Sequence, residues 1–204
     1  YFWDFYVPGF PSVAFDRSVE RELERIDPIG RPTALQTAIV AITRRCSLGC
    51  EHCFEGDALN QPEALSIHDL HEIVRRLQQR GVAQIFFSGG EPLQRFDDLL
   101  ALAAAVSAGT DVWILTSGRG LTADKARQLS DAGVTGVALS LDHWDASAHD
   151  RFRGAPGSFD GVERAAGQAR AAGLLVALSL CPTRSFVTAA NLQRYGETAR
   201  SLGA

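Results

Sequence analysis

The sequence of 204 residues contains no methionine, not even at position 1, and only four cysteines. A chain that lacks an initiator residue and stops at Gly203-Ala204, where a further strand is due, is expected to be a fragment. No apolar run approaches the roughly 18 residues that a membrane span requires. The N-terminus places Asp4, Pro8 and Pro11 where a signal peptide would carry its apolar stretch. These absences predict a cytoplasmic protein without a membrane span. Positive charge is not in excess either: 20 Lys and Arg stand against 24 Asp and Glu, a net charge of -4. Without a basic field, non-specific attraction to a phosphate backbone has no source, and nucleic acid is not expected as the main partner. Four cysteines in a reducing compartment serve metal binding or chemistry more often than disulfides.

With 46% of its residues hydrophobic and 22% charged, the chain suffices for one well-buried core. From residue 34 onward a short apolar run, a loop, a helix-period segment and a glycine follow one another repeatedly. The runs Thr37 to Thr43, Val82 to Ser88, Val112 to Thr116, Val137 to Leu141 and Leu174 to Leu180 are predicted strands. Helices are predicted near 66–80, 95–108, 122–132, 159–172 and 191–202. The first of these has Ser66 and Asp69 spaced as a capping box, with Ile67, Leu70, Val74 and Leu77 on one face. Gly81, Gly109, Gly133, Gly173 and Gly203 are each expected just past a helix, in the left-handed region. Strands with so little polar alternation are covered on both faces, which predicts a parallel sheet. Five such units can close as a barrel or lie open in a doubly wound sheet; either way, ligands bind at the C-terminal ends of the strands. Residues 1–33 stand apart, crowded with Tyr1, Phe2, Trp3, Phe5, Tyr6, Phe10 and Phe15. They read as a lid over the underside or edge of the 34–204 core, or as a docking surface.

Directly after the first predicted strand, Cys46, Cys50 and Cys53 sit on one loop. Thiolates are soft ligands that select iron-sulfur clusters, zinc or copper(I). Structural zinc needs four closed ligands, and His52 is poorly placed beside Cys53 to be the fourth. A cubane cluster takes one thiolate per iron, so three leave one iron open to a chelating ligand. The second strand breaks into Gly89-Gly90-Glu91-Pro92. Paired glycines let a ligand approach the backbone, and Glu91 can accept from an ammonium group. Ser117 can bond a ribose or cap its own turn. Ser140 and Asp142 alternate onto one face as polar groups within an apolar run.

The Cys46-x3-Cys50-x2-Cys53 spacing and the four residues Gly89 to Pro92 resemble the radical S-adenosylmethionine (SAM) superfamily, over about residues 37 to 203. The resemblance implies an α/β fold, a partial (β/α)6 TIM-like barrel with parallel strands, of which five strand-helix units are present. It implies a [4Fe-4S] cluster on the three cysteines, with the open iron taking the amino nitrogen and carboxylate of SAM. Reductive cleavage of SAM would then give a 5'-deoxyadenosyl radical that abstracts hydrogen from a substrate. By the same resemblance His52 helps seat the adenine, Gly89, Gly90 and Glu91 hold the methionine amino group, and Ser117, Ser140 and Asp142 face the ribose side. His149-Asp150-Arg151-Phe152-Arg153 is similar to a segment in relatives that modify peptides, whose arginine pairs with the SAM carboxylate; a surface ion pair of Arg153 with Asp150 is the plain alternative. That similarity points to a peptide or protein substrate, and the family implies a small redox protein as electron donor. A small metabolite or lipid substrate, a binding module without turnover and a zinc-stabilised domain stay open. His143 and Trp144 are candidates for the substrate pocket. Cys181 could donate a hydrogen atom, but is read first as a small buried hydrophobe.

Overall fold

The computed structural model describes residues 11–24 and 35–204. Its five strands are β1 (Thr37–Thr43), β2 (Gln84–Gly89), β3 (Asp111–Thr116), β4 (Gly136–Ser140) and β5 (Leu175–Ser179). They form one sheet in the order β1-β2-β3-β4-β5, every neighbouring pair parallel. Strand order follows chain order without the reversal of a doubly wound sheet, as the wall of a partial barrel requires.

Seven helices are described: α1 (Val13–Glu24), α2 (Ile67–Gln79), α3 (Phe96–Ala104), α4 (Ala123–Asp131), α5 (Ala146–Arg153), α6 (Ser158–Ala171) and α7 (Ala189–Leu202). The start of α2 is the predicted capping box, with Asp69 N–H donating to Ser66 Oγ at 3.2 Å and Ser66 N–H to Asp69 Oδ2 at 2.9 Å. Alternation along the strands separates two environments. Val40, Ile42, Ile85, Phe87, Ile114 and Leu139 pack against the helices in one continuous core. On the opposite face, register aligns Ile39, Phe86, Trp113, Gly136 and Leu175 in one layer. Phe86 stacks on Trp113 with ring centroids 6.0 Å apart, filling the floor. Gly136 makes that possible, since a Cβ there would stand 2.6 Å from the indole. The layer nearer the strand tips carries Ala41, Ser88, Leu115, Ala138 and Ala177, mostly small, and leaves the mouth open.

Three expectations change. The predicted helix 95–108 is shorter: a 3-10 turn over Pro92–Arg95 precedes α3, which ends at Ala104. Gln78 explains the early end, its amide donating to Ala105 O at 3.3 Å and accepting from Ser107 N–H at 2.7 Å. Gly109 therefore lies in a turn and has no positive φ, whereas Gly81, Gly133, Gly173 and Gly203 do. Finally, α5 is an additional helix between β4 and α6, capped by Asp145 and terminated by Gly154 at φ 64°.

Of residues 1–33, α1 is described, and Arg17 reaches Asp111 at 3.1 Å where β3 begins, the end opposite the strand tips. The expected aromatic lid or docking surface rests mostly on Tyr1, Phe2, Trp3, Phe5, Tyr6 and Phe10, which lie outside the described residues.

Candidate functional site

The loop after β1 is held from three sides. Asn60, left-handed at φ 59°, clamps Cys46: its Oδ1 accepts from the Cys46 N–H and its Nδ2 donates to the Cys46 carbonyl, both at 3.0 Å. Asparagine tolerates that backbone region better than most residues. Beneath, Gly90 N–H donates to Thr43 O at 2.8 Å and Glu91 N–H to Arg45 O at 2.7 Å. On the far side, Gly49 N–H donates to Arg153 O at 3.2 Å and Glu51 N–H to Phe152 O at 3.0 Å, so the carbonyls ending α5 hold the chain on either side of Cys50.

Over the strand tips opens a cavity of about 260 Å³. Cys46, Cys50, Cys53 and His52 line it from the loop, Gly89, Gly90 and Glu91 from the end of β2, and Ser117 from the end of β3. Ser140 and Asp142 face it from β4, Arg153 from α5 and Cys181 from beyond β5. These twelve residues, each singled out in the sequence, thus meet at one place, although they span 136 positions from Cys46 to Cys181.

Several do different work from that expected. The glycines at 89 and 90 make room for protein backbone: a Cβ on Gly89 would lie 2.3 Å from Thr43 O, and one on Gly90 2.4 Å from Arg45 O. Glu91 is buried, and its carboxylate already accepts four hydrogen bonds. Thr116 Oγ1 (2.6 Å) and Leu93 N–H (3.1 Å) donate to Oε1, and Ser117 N–H (2.9 Å) and Oγ (2.5 Å) to Oε2. Ser117 is thereby tied to Glu91, and Thr116 beside it joins the rims of β2 and β3.

Asp142 does not wait for a ligand diol. Its Oδ1 accepts from Cys181 N–H at 3.0 Å and its Oδ2 stands 2.6 Å from Arg153 Nη2, an ion pair without an aligned hydrogen bond. The surface pairing of Arg153 with Asp150 does not occur: Asp150 caps α6, accepting from Gly157 N–H at 2.6 Å and Phe159 N–H at 2.9 Å. Arg153 is buried instead, and its Nη1 lies 3.6 Å from Cys50 Sγ. His149, one turn earlier on α5, faces the same way; its Nδ1 accepts from the Asp142 N–H at 3.2 Å. Burial, with the Arg153 charge beside it, lowers the His149 imidazole to about 4. The packing reading of Cys181 is overturned, because its side chain is exposed beside the cavity. Trp144 leaves the pocket list too: its Nε1 donates to Asn191 Oδ1 at 3.0 Å and Arg194 covers its ring, so it pins α7. His143 does face a smaller recess of about 70 Å³ with Phe152, Phe186 and Cys181, next to the main cavity.

The donor set suits a thiolate-bound metal cluster. Burial pushes the Cys46 thiol up against a lowering hydrogen bond from the Leu48 backbone, and Glu91 adds to the rise; a bound metal cluster would favour its thiolate form. Buried polar atoms without a hydrogen-bond partner remain at the cavity wall, His52 Nδ1 and Arg153 Nε. His52 stacks on Phe152 at 4.6 Å and 9°, and burial lowers its pKa, which favours a neutral ring. Ser88, Ser140 and Ser179 line the cavity with hydroxyls free of protein hydrogen bonds. Ser179 was not anticipated; its register partner is Ser140, and that alignment was the signal.

A family model described as the Radical SAM superfamily matches residues 40–185. The chain is 31% identical over 144 residues to an AdoMet-dependent heme synthase of Nitratidesulfovibrio vulgaris, covering 70% of this chain and 39% of that protein. It is 37% identical over 131 residues to a PqqA peptide cyclase of Streptomyces rochei, covering 63% and 35%. The fold is that of Streptococcus suis SuiB bound to the precursor peptide SuiA, with TM-score 0.69 and 15% identity over 99% of this chain and 45% of that one. The chain thus spans less than half the length of these proteins.

Proposed function

The chain belongs to the radical SAM superfamily, and on that premise we propose that Cys46, Cys50 and Cys53 hold a [4Fe-4S] cluster beside a SAM site at the strand tips. Bound there, cluster and SAM would supply reductive cleavage of SAM to a 5'-deoxyadenosyl radical, which removes hydrogen from a substrate. The observation that carries this reading is the single cavity shared by the three thiols and by side chains from the tips of β2, β3, β4 and β5.

The chain's own residues would divide the work. Three thiolates occupy three irons and leave the fourth for the amino and carboxylate groups of SAM. Glu91 adds negative charge near a cationic ligand while its hydrogen bonds keep the β2 and β3 rims together. Ser140, with Ser179 and Ser88, offers hydroxyls to a ribose, and His52 offers a ring face and an unpaired nitrogen to the adenine. Arg153 has five N–H groups; Cys50 and Asp142 each engage one and Nε is buried, which leaves two for a carboxylate. Phe86 and Trp113, stacked and buried, would form an apolar floor beneath the bound groups.

For the substrate, we favour a peptide or protein. Support comes from the likeness to a PqqA peptide cyclase and from the shared fold with a peptide-bound SuiB. The apolar recess beside Cys181 and His143 is suited to a side chain presented from the open mouth. A small-molecule substrate is the second reading, favoured by the likeness to a heme synthase. A small redox protein would deliver the electron, in the reducing cytoplasm that keeps thiols available. No described helix is long and apolar enough to cross a membrane.

The test is anaerobic reconstitution with iron and sulfide, then addition of dithionite and SAM. The chain should release 5'-deoxyadenosine, and Cys50→Ala should abolish it. Equal release by that variant would refute the cluster assignment, and a reducible cluster that leaves SAM intact would mark a binding module without turnover.

A further inference from the structure

We propose that Arg153 is a positioning residue of the cluster: its guanidinium donates to Cys50 Sγ and, with Asp142 as the opposing charge, sets the reduction potential. The proposal rests on the reading that the three cysteines hold the cluster. Four observations at the end of α5 carry it. Arg153 Nη1 stands 3.6 Å from Cys50 Sγ, within reach of an N–H···S hydrogen bond. The backbone fixes that approach, since the carbonyls of Phe152 and Arg153 hold Glu51 and Gly49, the residues flanking Cys50. Gly154 ends the helix so close to Gly49 that a Cβ on it would lie 2.5 Å from the Gly49 carbonyl oxygen. Finally, the guanidinium is buried and 2.6 Å from Asp142, so solvent screens neither charge well.

The physical consequence has a sign. Reduction adds one electron, supplied by an external reductant, to the cluster and its thiolates. A donor and positive charge at a ligating sulfur stabilise that added charge, and hydrogen bonds to sulfur and local charge are among the determinants of such potentials. Asp142 works against Arg153 from the other side. Removing one or the other should therefore shift the potential in opposite directions, which loosened packing alone would not do.

The experiment is a redox titration with dithionite, followed by electron paramagnetic resonance, on the anaerobically reconstituted chain without SAM. Leaving SAM out separates this role from any contact of Arg153 with the SAM carboxylate. Arg153→Gln should shift the one-electron equilibrium about tenfold toward the oxidised cluster, a fall of about 59 mV in midpoint. Asp142→Asn should raise the midpoint, and Arg153→Lys, which keeps the charge, should lie between Arg153→Gln and the unmodified chain. Should Arg153→Gln fail to retain iron, the sign of the Asp142→Asn shift decides, and a fall or no change there overturns the proposal. Midpoints equal in all variants, or moved in one direction by both Arg153→Gln and Asp142→Asn, overturn it while leaving the cluster in place. A chain that takes up no iron overturns the cluster reading with it.

Discussion

Glu91 accepts hydrogen bonds from Thr116, Ser117 and Leu93 with both oxygens, at a position where the sequence suggested an open carboxylate awaiting an ammonium group. Its sites are filled because the tip of β3 arrives beside it, and sequence spacing does not show which strand ends meet. Replacing it tests this role. Glu91→Gln turns one acceptor into a donor facing the fixed Ser117 N–H, which should cost about 1–3 kcal/mol in urea unfolding. It should also weaken SAM binding in calorimetry; unchanged stability with weakened SAM binding would return Glu91 to the role of a free ligand. His149 gives a pH prediction. Its folded pKa, about 4, lies below the ordinary value of 6.5, so the unfolded chain binds the proton first as pH falls. The stability it contributes is complete above about pH 6.5 and is lost as pH falls through the interval toward 4. Between pH 7.5 and 5 this should amount to about 2 kcal/mol, read from urea midpoints. His149→Asn, which keeps an acceptor for the Asp142 N–H, should remove that difference.

Among the elements, the cysteine loop and α5 depend on each other, and the glycines after β2 belong to the same joint. Their backbone sits against Thr43 and Arg45, the residues that lead into Cys46. Gly90→Val should therefore lower iron content along with SAM affinity, measured by iron assay after reconstitution. Retention of full iron with loss of SAM binding alone would mean that the glycine serves the ligand directly. Gly161→Ala in α6 is the control: a Cβ there meets nothing within 4 Å, so it should stabilise by about 0.5–1 kcal/mol. The strands were legible because each is covered on both faces and reads as a continuous apolar run, with β2 buried throughout. The helix α5 was not. Its eight residues are short and polar, and its buried residues, His149 and Arg153, carry no apolar periodicity. What identifies it is its punctuation, Asp145 as the cap and Gly154 at the end, together with the spacing of four between the two buried residues.

For the whole molecule, the order of elements and the set of residues at the mouth were legible in the sequence, because parallel strand-helix units all place their tips at one end. The pairings within that set were hidden: Asp142 with Arg153, Asn60 with Cys46 and Glu91 with Ser117 join residues 11 to 26 apart, which only the closed fold brings together. The core lies on the helix side of the sheet, around Leu70, Ile85, Leu99, Ile114 and Leu139, away from the thiols. Removing metal by chelation and oxidation should bleach the protein while leaving far-ultraviolet circular dichroism nearly unchanged. Unfolding on metal loss would instead indicate a structural site such as zinc. The most direct measurement is spectroscopy of the reduced, anaerobically reconstituted chain before and after SAM is added. The prediction is about four irons per chain and a paramagnetic signal that changes shape with SAM and disappears in Cys50→Ala. Zinc as the only metal, or a cluster signal indifferent to SAM, would contradict the account.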